Sequence, residues 1–207
     1  MKVLLFNGSS RPTGCTFTAL SEVAKILNSE GIETEILQSG NGAFRDCIAC
    51  GFCAQNNRCV FNDDVVNEWT QKAEKADGFV FGSPVYYAHP SGRILSLMDR
   101  MFYSRGSIFA GKPGAVVVSA RRAGTTASLD VLAKHRTINQ MPLVSSTYWT
   151  MVHGNTPDEV RRDAEGLQTM RNLGRNMARL LNAIKAGNEA GLKAPETEKG
   201  ARTNFIR

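Results

Sequence analysis

Four cysteines, Cys47, Cys50, Cys53 and Cys59, form a C-x2-C-x2-C-x5-C run. In a chain that reads as cytoplasmic, thiols this close point to metal or redox chemistry before a disulfide scaffold. Four thiolates can hold a [4Fe–4S] cluster. Two alternatives stay open: a structural zinc, although the spacing is tighter than in paired CxxC knuckles, and a set of thiols that binds no metal. The fifth cysteine, Cys15, stands in a different chemical setting, the loop Asn7-Gly8-Ser9-Ser10-Arg11-Pro12-Thr13-Gly14-Cys15-Thr16. This loop joins an apolar run to a helical pattern, and the free amides at a helix start favour an anion. Ser9, Ser10, Thr13 and Thr16 add hydroxyl donors and Arg11 adds charge, while Gly8 and Gly14 permit close backbone approach. The loop lacks the Gly-Lys-Ser/Thr of a P-loop and is no GxGxxG turn. An ordinary strand–helix turn is the alternative.

Two further loops strengthen the first. Gly82-Ser83-Pro84-Val85-Tyr86-Tyr87 follows an uncharged run. Its rings offer faces to a planar ring system, and free amides can bond the edge of one; otherwise the tyrosines close the core. Ser119-Ala120-Arg121-Arg122-Ala123-Gly124-Thr125-Thr126 sets two arginines beside Gly and Thr. That suits an electron-rich, developing anion, or else forms a solvated loop.

The intervening residues define the elements that must position these loops. Short apolar runs at Lys2–Phe6, Gly78–Gly82 and Gly114–Ser119 predict strands covered on both faces. Alternation at Glu33–Leu37 predicts another, and Leu143–Trp149 a fifth. Helical spacing predicts helices over Gly14–Ser29, from Asp63-Asp64 to Ala76, over Ser91–Tyr103, over Ala127–Ile138 and along Asp158–Ile184. Strand–helix alternation repeated five times implies a parallel sheet with helices on both faces. Ligands of such sheets bind outside the carboxyl ends of the strands, where all three loops fall. We read one domain over 1–185, with a cysteine-rich insertion at 40–62, and a tail at 186–207 that is mobile or laid on a partner.

The chain has 207 residues, 42% hydrophobic and 21% charged, with net charge +6. Such usage excludes a wholly disordered chain, and no apolar stretch is long enough for a bilayer span. The N-terminus reads as a strand and carries no export signal, so a cytoplasmic location and no membrane partner are expected. The positive charge serves solubility or attracts anionic ligands such as nucleotides. It is dispersed, so no nucleic-acid partner is expected.

Together Gly8-Ser9-Ser10-Arg11 with Gly14-Cys15-Thr16, Gly82 to Tyr87, and Gly92 to Asp99-Arg100 make the chain similar to a known group. It resembles the NAD(P)H-dependent FMN reductase and iron-sulfur flavoprotein group of the flavodoxin-like superfamily, over residues 1 to about 185. The resemblance implies an α/β flavodoxin-like three-layer sandwich with a five-stranded parallel sheet in the order 2-1-3-4-5. It implies FMN, with Ser9, Arg11, Gly14, Cys15, Thr16 and Phe17 about the phosphate. Pro84, Val85, Tyr86 and Tyr87 would line the isoalloxazine, and Ser119, Arg121, Arg122 and Gly124 would reach its pyrimidine end. Cys15 stands where relatives often carry Asn or Ser. The implied reaction passes electrons from NADH or NADPH through FMN to a small acceptor such as a quinone or flavin. The alternative is an electron-transfer iron-sulfur flavoprotein with a [4Fe–4S] cluster on the four cysteines, serving a redox partner protein. No essential acid–base residue is expected, since the cofactor carries the chemistry. Tyr87, His89 and His153 are the positions from which a proton could reach a quinone-like acceptor, although plain loop or interface roles account for them as well. A homodimer or homotetramer is implied, with Tyr148 and Trp149 at the seam. A helix start lowers a thiol pKa and a bound phosphate opposes this, so Cys15 is expected to alkylate faster without FMN.

Overall fold

The computed structural model describes residues 1–198, 200, 201 and 203. Strands β1 (Lys2–Asn7), β2 (Glu33–Gln38), β3 (Gly78–Tyr86), β5 (Gly114–Ala120) and β6 (Met151–His153) pair in parallel, in the spatial order β2-β1-β3-β5-β6. A two-residue strand β4 (His89–Pro90) folds back antiparallel onto the end of β3. Apart from this inserted hairpin, the parallel order is the expected one.

The period of two along each strand divides the core. Leu4, Phe6, Phe79, Phe81, Val116 and Val118 face one side; Val3, Leu5, Val80, Ala115 and Val117 face the other. The first face packs under α3 (Val66–Glu74), α4 (Gly92–Arg105) and α5 (Thr125–Ile138) through Trp69, Leu97, Met101 and Leu132. The second packs under α1 (Cys15–Ser29) and α7 (Ala164–Glu189) through Leu20, Val23, Leu173 and Met177. Such central strands, buried on both faces, read as continuous apolar runs.

Two expectations need correction. The last strand is Met151–His153 and not Leu143–Trp149. Leu143 makes only an isolated bridge to Gly114. Beyond it, side chains and backbone of 145–147 turn to α7: Ser146 Oγ donates to Thr169 O at 2.7 Å, and Asn176 Nδ2 to Ser145 O at 2.9 Å. Those bonds hold the segment off the β5 ladder, which resumes when Val118 N donates to Thr150 O at 3.0 Å. The long C-terminal helix is likewise broken. α6 (Pro157–Arg162) ends at Asp163, whose carboxylate accepts from Gly166 N at 2.9 Å and starts α7. α7 then runs to Glu189, past the expected boundary at 185. Of the tail, residues 199, 202 and 204–207 lie outside the described residues.

Candidate active site

The first loop leaves β1 at the carboxyl edge of the sheet and is held from three sides. Gly8 N donates to Gly82 O at 2.9 Å, Ser91 Oγ donates to Gly8 O at 2.7 Å, and Gln38 Nε2 donates to Ser9 O at 2.7 Å. A Cβ on Gly8 would stand 2.5 Å from Ile94 Cβ, so only glycine fits there. Ser9 Oγ accepts from Arg11 N at 3.1 Å, which folds the chain back toward the helix start. The N-cap of α1 is Gly14, and no side chain caps the helix. The first-turn amides therefore keep the partial positive charge that attracts an anion. Arg11 is exposed and makes no ion pair among the described residues. Thr16 Oγ1 shares a 2.8 Å hydrogen bond with Ser119 Oγ, which ties α1 to the end of β5. Phe17 is half-buried on the first turn.

Cys15 begins α1, as expected, with its thiol turned aside. Its Sγ donates to Gly154 O at 3.6 Å, across to the segment after β6. Burial pushes the thiol pKa up, against the lowering effect of a backbone hydrogen bond and of Arg11. The helix start thus offers the Cys15 amide to an anion while its side chain turns toward Gly154.

The second loop meets the first. Tyr86 OH and Ser10 Oγ share a 3.0 Å hydrogen bond. Burial opposes ionisation of Tyr86, but its bonds to Ser10 and Ser9 and the nearby Arg11 outweigh that and lower its pKa. Pro84 is buried and Val85 half-buried, whereas Tyr87 is fully exposed at φ +60°. Ala88 N donates to Tyr86 O at 2.8 Å, closing the tight turn into β4. The tyrosines therefore do not close the core. The third loop abuts this turn at Gly124, where φ is +90° and a Cβ would lie 2.8 Å from Val85 Cγ1. Gly124→Ala is expected to cost about 1–2 kcal/mol, read from urea unfolding; an unchanged midpoint would contradict the contact. Arg121 and Arg122 are exposed without ion pairs among the described residues. His153 Nε2 lies 3.1 Å from Arg122 O. The three loops thus form one edge, as their sequence placement requires. Tyr148 and Trp149 are exposed and pack edge-on at 5.2 Å.

The four clustered cysteines lie elsewhere. Cys47, Cys50, Cys53 and Cys59 all line one cavity of about 250 Å³, with Phe61, Arg100 and Tyr103 on its wall. The short helix α2 (Cys53–Asn56) carries one of them. Asn67 fixes Cys59 from both sides: Cys59 N donates to Asn67 Oδ1 at 2.9 Å, and Asn67 Nδ2 donates to Cys59 O at 3.0 Å. All four thiols are free of disulfides. Among the described residues, no three His, Cys, Asp or Glu side chains close on a single ion.

The model of the NADPH-dependent FMN reductase family matches residues 1–156. The chain belongs to that family. Membership makes it an oxidoreductase with FMN as its cofactor. An iron-sulfur flavoprotein of Methanocaldococcus jannaschii is 34% identical over 197 residues, spanning 89% of this chain and 100% of that one. An iron-sulfur flavoprotein of Methanosarcina thermophila is 26% identical over 189 residues, spanning 89% and 97%. The structure of an archaeal flavodoxin superposes with TM-score 0.61 at 13% identity, spanning 88% and 99%. That likeness is one of fold.

One pairing escaped the sequence reading of this FMN reductase family member. Arg100 is buried on α4 and paired with the buried Asp64, its Nη1 and Nη2 donating to the two carboxylate oxygens. Asp63-Asp64 reads from sequence as a helix cap; the N-cap of α3 is instead Val65, with Asp64 one residue before it accepting from Val66 N at 3.1 Å. The pairing itself has no sequence signal: Arg100 ends the Gly92 to Asp99-Arg100 stretch that marks the resemblance, but nothing local shows that it is buried or that Asp64 is its partner.

Proposed function

We propose that this protein takes electrons from NADPH or NADH onto FMN bound at the three-loop edge and passes them on through a [4Fe–4S] cluster held by Cys47, Cys50, Cys53 and Cys59. The uncapped start of α1 carries the FMN assignment, because bare first-turn amides beside Ser9 and Arg11 fit a phosphate dianion. Bound FMN supplies hydride acceptance and electron transfer. The protein's part is binding and electrostatics. The amides of Cys15 and Thr16 with Arg11 hold the phosphate. Pro84 to Tyr87 line the ring, and the cations Arg121 and Arg122 oppose negative charge at its pyrimidine end. Arg122 is steadied through His153, whose amide donates to Asp163 Oδ2 at 2.7 Å.

The cysteine cavity carries the cluster assignment. A zinc ion binds thiolates at about 2.3 Å, which draws four sulfurs to a point. The four cysteines line a hollow of about 250 Å³, which has room for a cluster of several atoms. Both curated relatives cited above carry iron-sulfur in their names. A second reading has its own support. Tyr86, Tyr87 and His89 are exposed beside the proposed ring site, leaving space for a small acceptor such as a quinone or flavin to be reduced directly. The exposed Tyr148–Trp149 pair is our proposed subunit seam.

The test is the content of protein purified without oxygen. Such protein is expected to hold one FMN and about four iron and four sulfide per chain. FMN without iron supports direct reduction of a small acceptor. A protein that takes up neither overturns both readings.

A further inference from the structure

We infer that Arg100 is the positioning residue of the cysteine cavity: it fixes Cys59 and raises the reduction potential of the cluster held there. This rests on the [4Fe–4S] reading above. Arg100 is 2% exposed, and its Nε donates to Cys59 Sγ at 3.2 Å. Among the described residues, Cys59 is the one member of the run whose sulfur accepts a hydrogen bond. The rest of the guanidinium is committed. Nη1 donates to Arg45 O at 3.1 Å, both Nη atoms hold Asp64, and the Phe44 and Phe61 rings lie 5.7 Å and 5.2 Å from its Cζ. So held, Arg100 cannot swing away, and its Nε–H stays aimed at the sulfur.

The same contacts clamp the cysteine segment from both ends. Arg45 lies two residues before Cys47, and Cys59 is the last of the run. One side chain thereby sets how far the segment opens. α4 also connects the two sites. Ser91, which caps it, holds the Gly8 carbonyl of the phosphate loop, and Arg100 is nine residues further on, roughly 14 Å at helical rise.

Hydrogen bonds to ligand sulfurs and local net charge set cluster potentials. A buried cation that donates to a ligand sulfur favours the electron-richer form. Arg100→Lys keeps the charge but loses the planar fork. It is expected to lower the ratio of reduced to oxidised cluster at a fixed potential about tenfold, about 59 mV for a one-electron couple.

The test uses whole protein purified without oxygen, wild type and Arg100→Lys, titrated with reductant and followed by electron paramagnetic resonance. FMN content serves as the check on folding. In parallel, wild-type protein carrying arginine labelled with nitrogen-15 in the side chain is examined by pulsed resonance for coupling to the cluster. A lower potential in the variant with an arginine nitrogen coupled in the wild type supports the inference. Wild-type protein that holds the cluster but shows no nitrogen coupling, or a folded variant with unchanged potential, overturns it and leaves the cluster reading intact. If the variant does not fold, the wild-type coupling decides alone. Wild-type protein without iron overturns the cluster reading and this inference with it.

Discussion

Asp64→Ala is expected to lower stability by about 3–5 kcal/mol, the largest effect of any single substitution considered. The side chains of Arg100 and Asp64 are 1% and 8% exposed. Removing the carboxylate strands a guanidinium that cannot shed its charge and has no access to water. The hydrogen bond that Asp64 accepts from Val66 N just before α3 is lost as well. A surface pair such as Arg45–Asp63, where both partners are more than half exposed, contributes about 0–1 kcal/mol at most. Urea unfolding of Asp64→Ala beside Asp63→Ala checks the contrast. Similar losses in the two variants would show that the buried pair carries no special weight.

Arg11→Gln is expected to weaken FMN by about 1.5–3 kcal/mol, roughly tenfold to a hundredfold in Kd. The reason lies in what the loop lacks. Gly14 caps α1 without a side chain, and Arg11 has no ion-pair partner among the described residues, so its charge is free for a phosphate. Riboflavin has no phosphate and is expected to bind both proteins alike. Fluorescence titration of the apoprotein with each ligand gives the answer. An equal loss for both ligands would place Arg11 at the ring and not at the phosphate.

Much of this was legible in the chain because the signals were local and repeated. Val3 to Phe6 and Phe79 to Phe81 alternate between two buried faces, and an uninterrupted apolar run is what a two-faced strand must look like. Once the strands were placed, the loops bearing Ser9, Tyr86 and Arg121 had to share an edge. The failures are of another kind. The last strand was misplaced because Ser145 and Ser146 bond to α7, a contact across 23 to 31 positions that no local pattern encodes. The β4 hairpin was missed because its positive-φ residue is Tyr87, not the Gly or Asn such turns usually advertise. Cys15 was correctly placed at the helix start, yet its thiol points to Gly154, a partner 139 positions away. Arg100 is visible in the chain only as the end of the Gly92 to Asp99-Arg100 stretch; its burial is not, since arginine rarely lies fully buried unless paired.

One helix links the loop after β1 to the cysteine cavity. α4 meets the loop after β1 through its N-cap Ser91 and the cysteine cavity with its last turns through Arg100, Tyr103 and Ser104. A single helix buried along Ile94, Leu97, Met98 and Met101 fixes the separation of the two.

In the proposed function a nicotinamide nucleotide reduces FMN seated at the three-loop edge. The direct measurement mixes FMN-loaded protein with NADPH, and separately with NADH, in the absence of oxygen and of any acceptor. The absorbance of the oxidised flavin is followed in time. Bleaching of the bound FMN with matching oxidation of at least one of the two nucleotides is the expected result. FMN that binds tightly but keeps its oxidised spectrum with both nucleotides, yet bleaches with dithionite, would contradict it.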